Sequence, residues 1–401
     1  MSLQDDLNQN DDREALRYRT NAPDGQGMYL RIMSLDEFDG TTWRFSQRKV
    51  VDVPGSLPTP QGLAPAVRTT KISTSITAAP WYRQNYLPMP YPATSVSVKG
   101  RWRYEPEGRT LVGDRGQSTR DARYSVDSLE VNPTRQQLAS AGAPPAALER
   151  EYTEVPSNLP AVVKRTAQQV TAGSANDYER AVALQDWFAS DGGFTYDTHV
   201  NSGTGPDAIT RFLKDKRGFC IHFSFTMAAM ARTLGIPARV AVGFAPGTPE
   251  GDGTVDVALR DAHAWPELYF QGVGWTRFEP TPSRGSLPAY TLPASPTDPD
   301  SGTSTQPDAP QSLAPSTAPS ASSSCAPQDQ RLGACDQAAL QPPAPPSAGG
   351  THGGTWALIG AGIALVVLVP RCPRSRRPSR APGWPGRTRR SWWRTAAPCA
   401  A

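Results

Sequence analysis

The sequence predicts an α+β protein: a β-rich stretch, then a group of helices, then a run of strands. Three observations predict it. Between residues 17 and 130, short alternating or β-branched runs are separated by Pro and Gly punctuation. From Pro160 onward apolar residues recur at helical spacing, and after Gly235 and Pro237 the period returns to that of strands.

In chain order, the runs Tyr29–Met33, Thr70–Thr77, Thr94–Val98 and Ala122–Val126 read as strands, with turns at Pro23-Asp-Gly and Pro106-Glu-Gly. No His, Cys or carboxylate cluster marks this region, and its aromatic stretch Trp81–Tyr86 is expected to pack rather than to bind. Helices begin near Pro160. Residues 161–172 are amphipathic, and Asn176 is a good N-cap for a helix through Leu184, Trp187 and Phe188. Phe194–Asp197 is extended, and Ala208–Leu213 forms one or two helical turns. After Cys220, Phe223, Met227, Met230 and Leu234 share one helix face, while Phe225, Ala228 and Ala229 make the other face apolar. This helix is therefore expected to be central and buried. Gly235 ends it and Pro237 prevents resumption. Arg239–Phe244, Thr254–Leu259 and Trp265–Phe270 then read as strands.

Composition divides the rest. From Arg284 to Gly354 the chain is Pro, Ala, Ser, Thr, Gln and Gly with few large apolar side chains, which reads as a disordered stalk. Trp356–Val369 is an uncharged apolar run, expected to be a membrane anchor when counted from Gly353 through Pro370. Nine arginines and no acidic residue follow Val369, which places that end in the cytoplasm and the main body outside. The net charge of +4 comes from that tail; without it 32 basic side chains face 37 acidic ones, so nucleic acid is not an expected partner. Met1–Asp12 has neither a basic nor an apolar export region, so the chain reads as a piece of a longer membrane protein. Cys325 and Cys335 lie in the stalk, where they can pair outside the cell; Cys372 and Cys399 carry no readable role.

Cys220 is the sole cysteine of the first 324 residues and sits where a Gly-containing loop enters the apolar helix. Unpaired N–H groups at a helix start favour thiolate over thiol. A nucleophilic thiol needs a base and a group that orients the base. His263, in Asp261-Ala-His-Ala-Trp, and Glu279, in Gly274-Trp-Thr-Arg-Phe-Glu-Pro, meet both needs through one hairpin turning near 271–274. In that hairpin the two residues fall opposite each other to within one or two positions of register. Asp261 is the alternative carboxylate, poorly placed on the same strand as His263. His222 lies about 200° around the helix from Cys220 and reads as a packed histidine; His199 reads as solvent-exposed. One cysteine with scattered histidines lacks zinc-ligand spacing.

The segments Gly218-Phe-Cys-Ile-His-Phe, Arg232-Thr-Leu-Gly-Ile-Pro-Ala-Arg-Val-Ala-Val-Gly-Phe, Asp261-Ala-His-Ala-Trp and Gly274-Trp-Thr-Arg-Phe-Glu-Pro-Thr-Pro resemble the bacterial transglutaminase-like domain over about residues 155–285. The resemblance implies a papain-like fold, with the cysteine on a central helix and the histidine and acid on neighbouring strands. It maps the catalytic residues to Cys220, His263 and Glu279, where many members carry Asp in the third place. Residues 10–43 resemble the β-rich region that precedes this domain in membrane-anchored members, whose N-terminal membrane helices are missing here.

The expected organisation is a β-rich N-terminal module at 1–154, a transglutaminase-like catalytic domain at 155–285, the stalk at 286–354, a transmembrane helix at 355–370 and an Arg-rich cytoplasmic tail at 371–401. The expected function is thiol-dependent acyl transfer at an amide on the cell exterior. Its substrate is a protein or peptide amide, with an amine as acceptor, and neither a metal nor an organic cofactor is called for. Water as acceptor gives an amidase or cysteine peptidase instead, and a non-catalytic surface-binding module is the alternative from another class. The Cys220 N–H is one expected oxyanion donor. Spacing identifies no second donor; an aromatic or amide side chain upstream is one source.

Overall fold

Two antiparallel sheets organise the chain, and each draws strands from both the β-rich region and the region after Cys220. In the computed structural model, which describes residues 11–22, 27–200 and 207–293, the first region supplies β1 (Glu14–Thr20), β2 (Leu30–Leu35), β3 (Glu37–Phe38), β4 (Trp43–Arg44) and β5 (Val51–Asp52). It continues with β6 (Arg68–Ala78), β7 (Ala93–Val98), β8 (Trp102–Glu105), β9 (Thr110–Gly113) and β10 (Arg123–Asn132). Helices α1 (Arg135–Ala139), α2 (Ala146–Tyr152), α3 (Ala161–Val170) and α4 (Asp177–Asp186) follow. Then come β11 (Thr195–Tyr196), α5 (Asp207–Asp215), β12 (Arg217–Gly218) and α6 (Cys220–Thr233). Strands β13 (Ala238–Phe244), β14 (Thr248–Pro249), β15 (Val255–Ala258), β16 (Ala262–Phe270) and β17 (Gly274–Arg277) close the series.

Helix formation starts earlier than Pro160. Thr134 and Gln137 form a reciprocal capping box, with Gln137 N donating to Thr134 Oγ1 (3.1 Å) and Thr134 N donating to Gln137 Oε1 (2.9 Å). That Thr-x-x-Gln spacing was the readable signal for α1.

The larger sheet runs β14-β15-β1-β6-β10-β7, with all its pairs antiparallel. From Lys71, β6 alternates exposed and buried residues, as a strand with one wet face should. The smaller sheet runs β17-β16-β13-β2. Every residue of β2, β13 and β16 is buried, and α6 packs across β16 and β13. Gly243 stands opposite His263 in the β13–β16 register, next to a bulge against β2. A Cβ at Gly243 would overlap the Leu30 carbonyl oxygen, so only glycine lets β2 close on β13 there.

Helix α6 is apolar around most of its circumference, and Phe223, Met227 and Met230 are completely buried. Each such side chain contributes about 1.5–3 kcal/mol by leaving water. The helix ends in a Schellman arrangement. Ile236 N donates to Ala231 O and Gly235 N to Arg232 O, with Gly235 at φ +83°. Arg232, in its last turn, is buried and ties three segments together. It donates to Ala238 O (2.9 Å), Asp36 O (2.6 Å) and Glu154 O (3.2 Å).

Residues 286–293, assigned to the stalk by composition, pack against the core: Tyr290 Oη donates to Arg277 O (2.6 Å), and Thr291 is buried. The rest of the expected stalk, the apolar run at 356–369, the arginine tail and the four later cysteines lie outside the described residues. Among the described residues no helix is long and apolar enough to cross a membrane.

Candidate active site

Cys220 is the first residue of α6, and Phe219, in extended conformation (φ −119°, ψ 179°), precedes it. The backbone N–H of a first helical residue has no intrahelical acceptor. The turn into the helix is fixed from within: Phe219 N donates to His222 Nδ1 (3.2 Å), and the imidazole packs on the Phe212 and Phe219 rings. Burial lowers the His222 pKa to about 4, so it serves as a neutral acceptor. The parallel pairing of β11 with β12 sets Tyr196 opposite Gly218, two residues before Cys220. Burial and the nearby thiol raise the Tyr196 pKa.

His263 lies on β16, and Glu279 lies two residues past the end of β17. The register pairs Glu267 with Arg277; extended, it puts residue 281 opposite His263, so Glu279 lies two positions short of direct opposition, within the expected range. Carboxylate and imidazole meet: His263 Nε2 is 2.9 Å from Glu279 Oε2 and 3.1 Å from Oε1. The other ring nitrogen, Nδ1, is buried without a hydrogen bond of normal geometry among the described residues. The Cys220 thiol is nonetheless close enough to interact with the ring. Cys220 and His263 are completely buried and Glu279 is nearly so. Burial opposes a charge on the imidazole, but the Glu279 carboxylate outweighs it. With the thiol adding to that attraction, the pKa of His263 rises to about 9.

Glu279 is held on all sides. Its backbone N donates to Gln185 Oε1 (3.0 Å), Thr281 N donates to its Oε1 (3.3 Å), and Tyr29 Oη donates to its Oε2 (2.9 Å). Arg277 stands 3.9 Å from Oε2 and lies over the Tyr29 ring. Sequence reading missed Tyr29 and Gln185. Both sit in ordinary strand and helix patterns, and only long-range packing carries them to Glu279, Tyr29 to its carboxylate and Gln185 to its backbone N–H.

The structure brings Cys220, His263 and Glu279 together and leaves the other candidates apart. Asp261 turns to its own backbone and accepts from Ala258 N (2.9 Å). The His199 side chain is 95% exposed. His222 caps the helix start.

A transglutaminase-like superfamily model matches residues 164–280, which contain all three of these residues. The chain carries a transglutaminase-like core domain. A TgpA N-terminal domain model matches residues 1–135, so the β-rich region and the core are recognised separately. Over 240 residues the chain is 27% identical to the uncharacterized protein YebA of Bacillus subtilis, covering 56% of this chain and 32% of YebA. Over 81 residues it is 43% identical to a protein-glutamine gamma-glutamyltransferase of Pseudomonas aeruginosa, covering 20% of this chain and 12% of that protein. The chain thus spans about a third or less of the length of these relatives. The crystal structure of the periplasmic domain of Pseudomonas aeruginosa TgpA superposes with a TM-score of 0.54 at 22% identity, over 68% of this chain and 89% of that one. The same domain bound to ethylmercury gives 0.53, covering 70% and 94%. The fold is thus a papain-like, transglutaminase-like core with a β-rich N-terminal region.

Proposed function

We propose that this transglutaminase-like core transfers acyl groups from amides through Cys220. The observation that carries the reading is the buried series of thiol, imidazole and carboxylate. One nitrogen of His263 is held by Glu279, and the other has no partner of normal geometry beside the Cys220 sulfur. The Cys220 thiolate attacks the amide carbonyl carbon, and the Cys220 N–H at the helix start holds the developing oxyanion. For the second donor this reading takes Tyr196, an upstream aromatic residue whose backbone pairs with Gly218. His263 gives its Nδ1 proton to the departing amine as the tetrahedral intermediate collapses to a thioester. An incoming amine then attacks the thioester, His263 removes its proton, and the Cys220 thiolate leaves. Glu279 holds the ring and stabilises its charge throughout.

The same machinery hydrolyses the thioester when water is the acceptor. A relative named protein-glutamine gamma-glutamyltransferase supports a glutamine side chain as donor and a primary amine as acceptor. The likeness to a periplasmic domain supports a catalytic domain outside the cytoplasm, anchored by the apolar run at 356–369. The test is incubation of the full chain with a fluorescent primary amine and a glutamine-containing donor protein. Amine incorporation that disappears in Cys220→Ala is expected. Ammonia release without incorporation replaces transfer by hydrolysis, and neither product leaves a binding module.

A further inference from the structure

We propose that Tyr29, brought from the β-rich region, is a positioning residue that clamps the Glu279 carboxylate against His263, together with a strap over it at Gly285 and Ser286. This rests on the assignment of Glu279 as the acid that orients His263.

The clamp is built from both ends of the described chain. Tyr29 immediately precedes β2, which enters the smaller sheet by pairing with β13, and its hydroxyl reaches a carboxylate 250 residues away. That hydroxyl has two fixed partners: it donates to Glu279 Oε2 (2.9 Å) and accepts from Ser286 N (2.9 Å). The ring is fixed as well. It lies edge-on to Trp265 with centroids 5.0 Å apart, and the Arg277 guanidinium sits 4.1 Å from its centroid. Burial, reinforced by the Glu279 charge, pushes the phenol pKa well up, so the group remains a donor.

The strap is stapled at Ser286, whose carbonyl accepts from Arg277 Nη1 (2.8 Å) while its N–H donates to Tyr29. Gly285 crosses directly over the carboxylate at φ +68°. A Cβ there would overlap both the Tyr29 hydroxyl and Glu279 Oε2. Any other residue would lift the strap and let water reach the carboxylate. Among the described residues, Gly285 is exposed on its outer side.

Removing the Tyr29 hydroxyl frees one carboxylate oxygen to turn away and admits solvent. The field that Glu279 exerts on the imidazole then weakens. The titratable and charged groups around that imidazole are Glu279, Cys220, Tyr29 and, behind the carboxylate, Arg277. Tyr29→Phe removes the phenol's bonds to Glu279 and to Ser286 N, while the ring, Trp265 and Arg277 remain.

The test combines ¹³C NMR titration of the histidine Cε1 positions in the full chain with turnover of the glutamine donor, in wild type, Tyr29→Phe and Gly285→Ala. His263→Asn identifies the signal among the four histidines. The expected result is a His263 pKa lowered by about one unit in Tyr29→Phe, with kcat about tenfold lower and KM unchanged. Gly285→Ala should move in the same direction. Unchanged His263 titration in Tyr29→Phe, whatever its melting temperature, reduces the tyrosine to packing and overturns the clamp. If Gly285→Ala does not fold, Tyr29→Phe alone decides. A shifted imidazole in a protein that turns over no amide keeps the clamp and removes the acyl-transfer reading, so the two stand or fall separately.

Discussion

Strand β16 carries two buried ionic clusters, one at His263 and one at Glu267, and they differ in how completely they are satisfied. At Glu267, Arg239 and Arg31 share one carboxylate, with contacts of 2.7 and 3.1 Å. Their guanidinium faces are also covered, Arg31 by the Tyr91 ring and Arg239 by the Trp275 ring. At His263 the carboxylate side is equally crowded, yet the ring nitrogen beside Cys220 is left unpaired by any normal hydrogen bond. Both clusters take a side chain from the segment entering β2: Arg31 for one and Tyr29 for the other. The first cluster is closed and uses a permanently charged cation, which suits holding three strands together. The second uses a titratable cation with one nitrogen beside the thiol, which suits moving a proton. On the proposed function, structural and chemical roles on one strand are separated by which group faces the thiol.

The largest expected effect breaks the chemical cluster. Glu279→Gln keeps the shape of the side chain but cannot stabilise an imidazolium, so kcat should fall about 10⁴-fold, with little change in unfolding free energy only above about pH 9, where the imidazole is neutral. Asp261→Asn is the control, since that carboxylate accepts from Ala258 N and lies 3.9 Å from Arg260 Nε rather than meeting His263. Steady-state kinetics on the two variants checks the assignment, and the reverse pattern would make Asp261 the acid.

Next comes the structural cluster. Glu267→Gln leaves two guanidiniums in the core without a countercharge, and loss of one partner from a buried pair costs about 3–5 kcal/mol. Urea unfolding should show that loss, with whatever folded protein remains retaining its thiol chemistry. Above about pH 9, a stability loss no greater for Glu267→Gln than for Glu279→Gln would erase the distinction between the clusters.

The chemical cluster was more legible in the sequence than the structural one. Cys220 announced itself by standing alone before an apolar run. His263 and Glu279 were readable because one hairpin joins them, and local pairing follows from turn position. Arg31, Tyr29 and Gln185 were not readable for a shared reason. Leu30-Arg-Ile-Met-Ser-Leu reads as a strand, but nothing local says that it borders β13, more than 200 residues later. Arg31 breaks the apolar pattern, and a buried arginine is intelligible only once Glu267 is seen beside it. The capping box at Thr134 was local and was simply missed.

The smallest expected effect concerns pH and sharpens the comparison, because His263 is the group expected to titrate between about pH 6 and 10. His263 is raised from its ordinary value of about 6.5 to about 9, the Glu279 charge overcoming the penalty of burial. A group whose folded pKa is raised binds its proton more tightly in the folded chain. Its contribution is therefore complete below about pH 6.5, declines as pH rises from there, and is gone above about pH 9. Arg239 and Arg31 keep their protons across that window, so the structural cluster adds no slope. Unfolding free energy measured from pH 6 to 10 should decline with pH in the wild type, and His263→Asn should flatten that decline. Activity should fall on the same alkaline side, since an imidazole that has lost its proton cannot protonate the departing amine. A stability slope equally steep in His263→Asn would show that the proton is lost elsewhere and that the imidazole is neutral in the folded protein. The division between a permanently charged structural cluster and a proton-transferring one would then lose its physical basis.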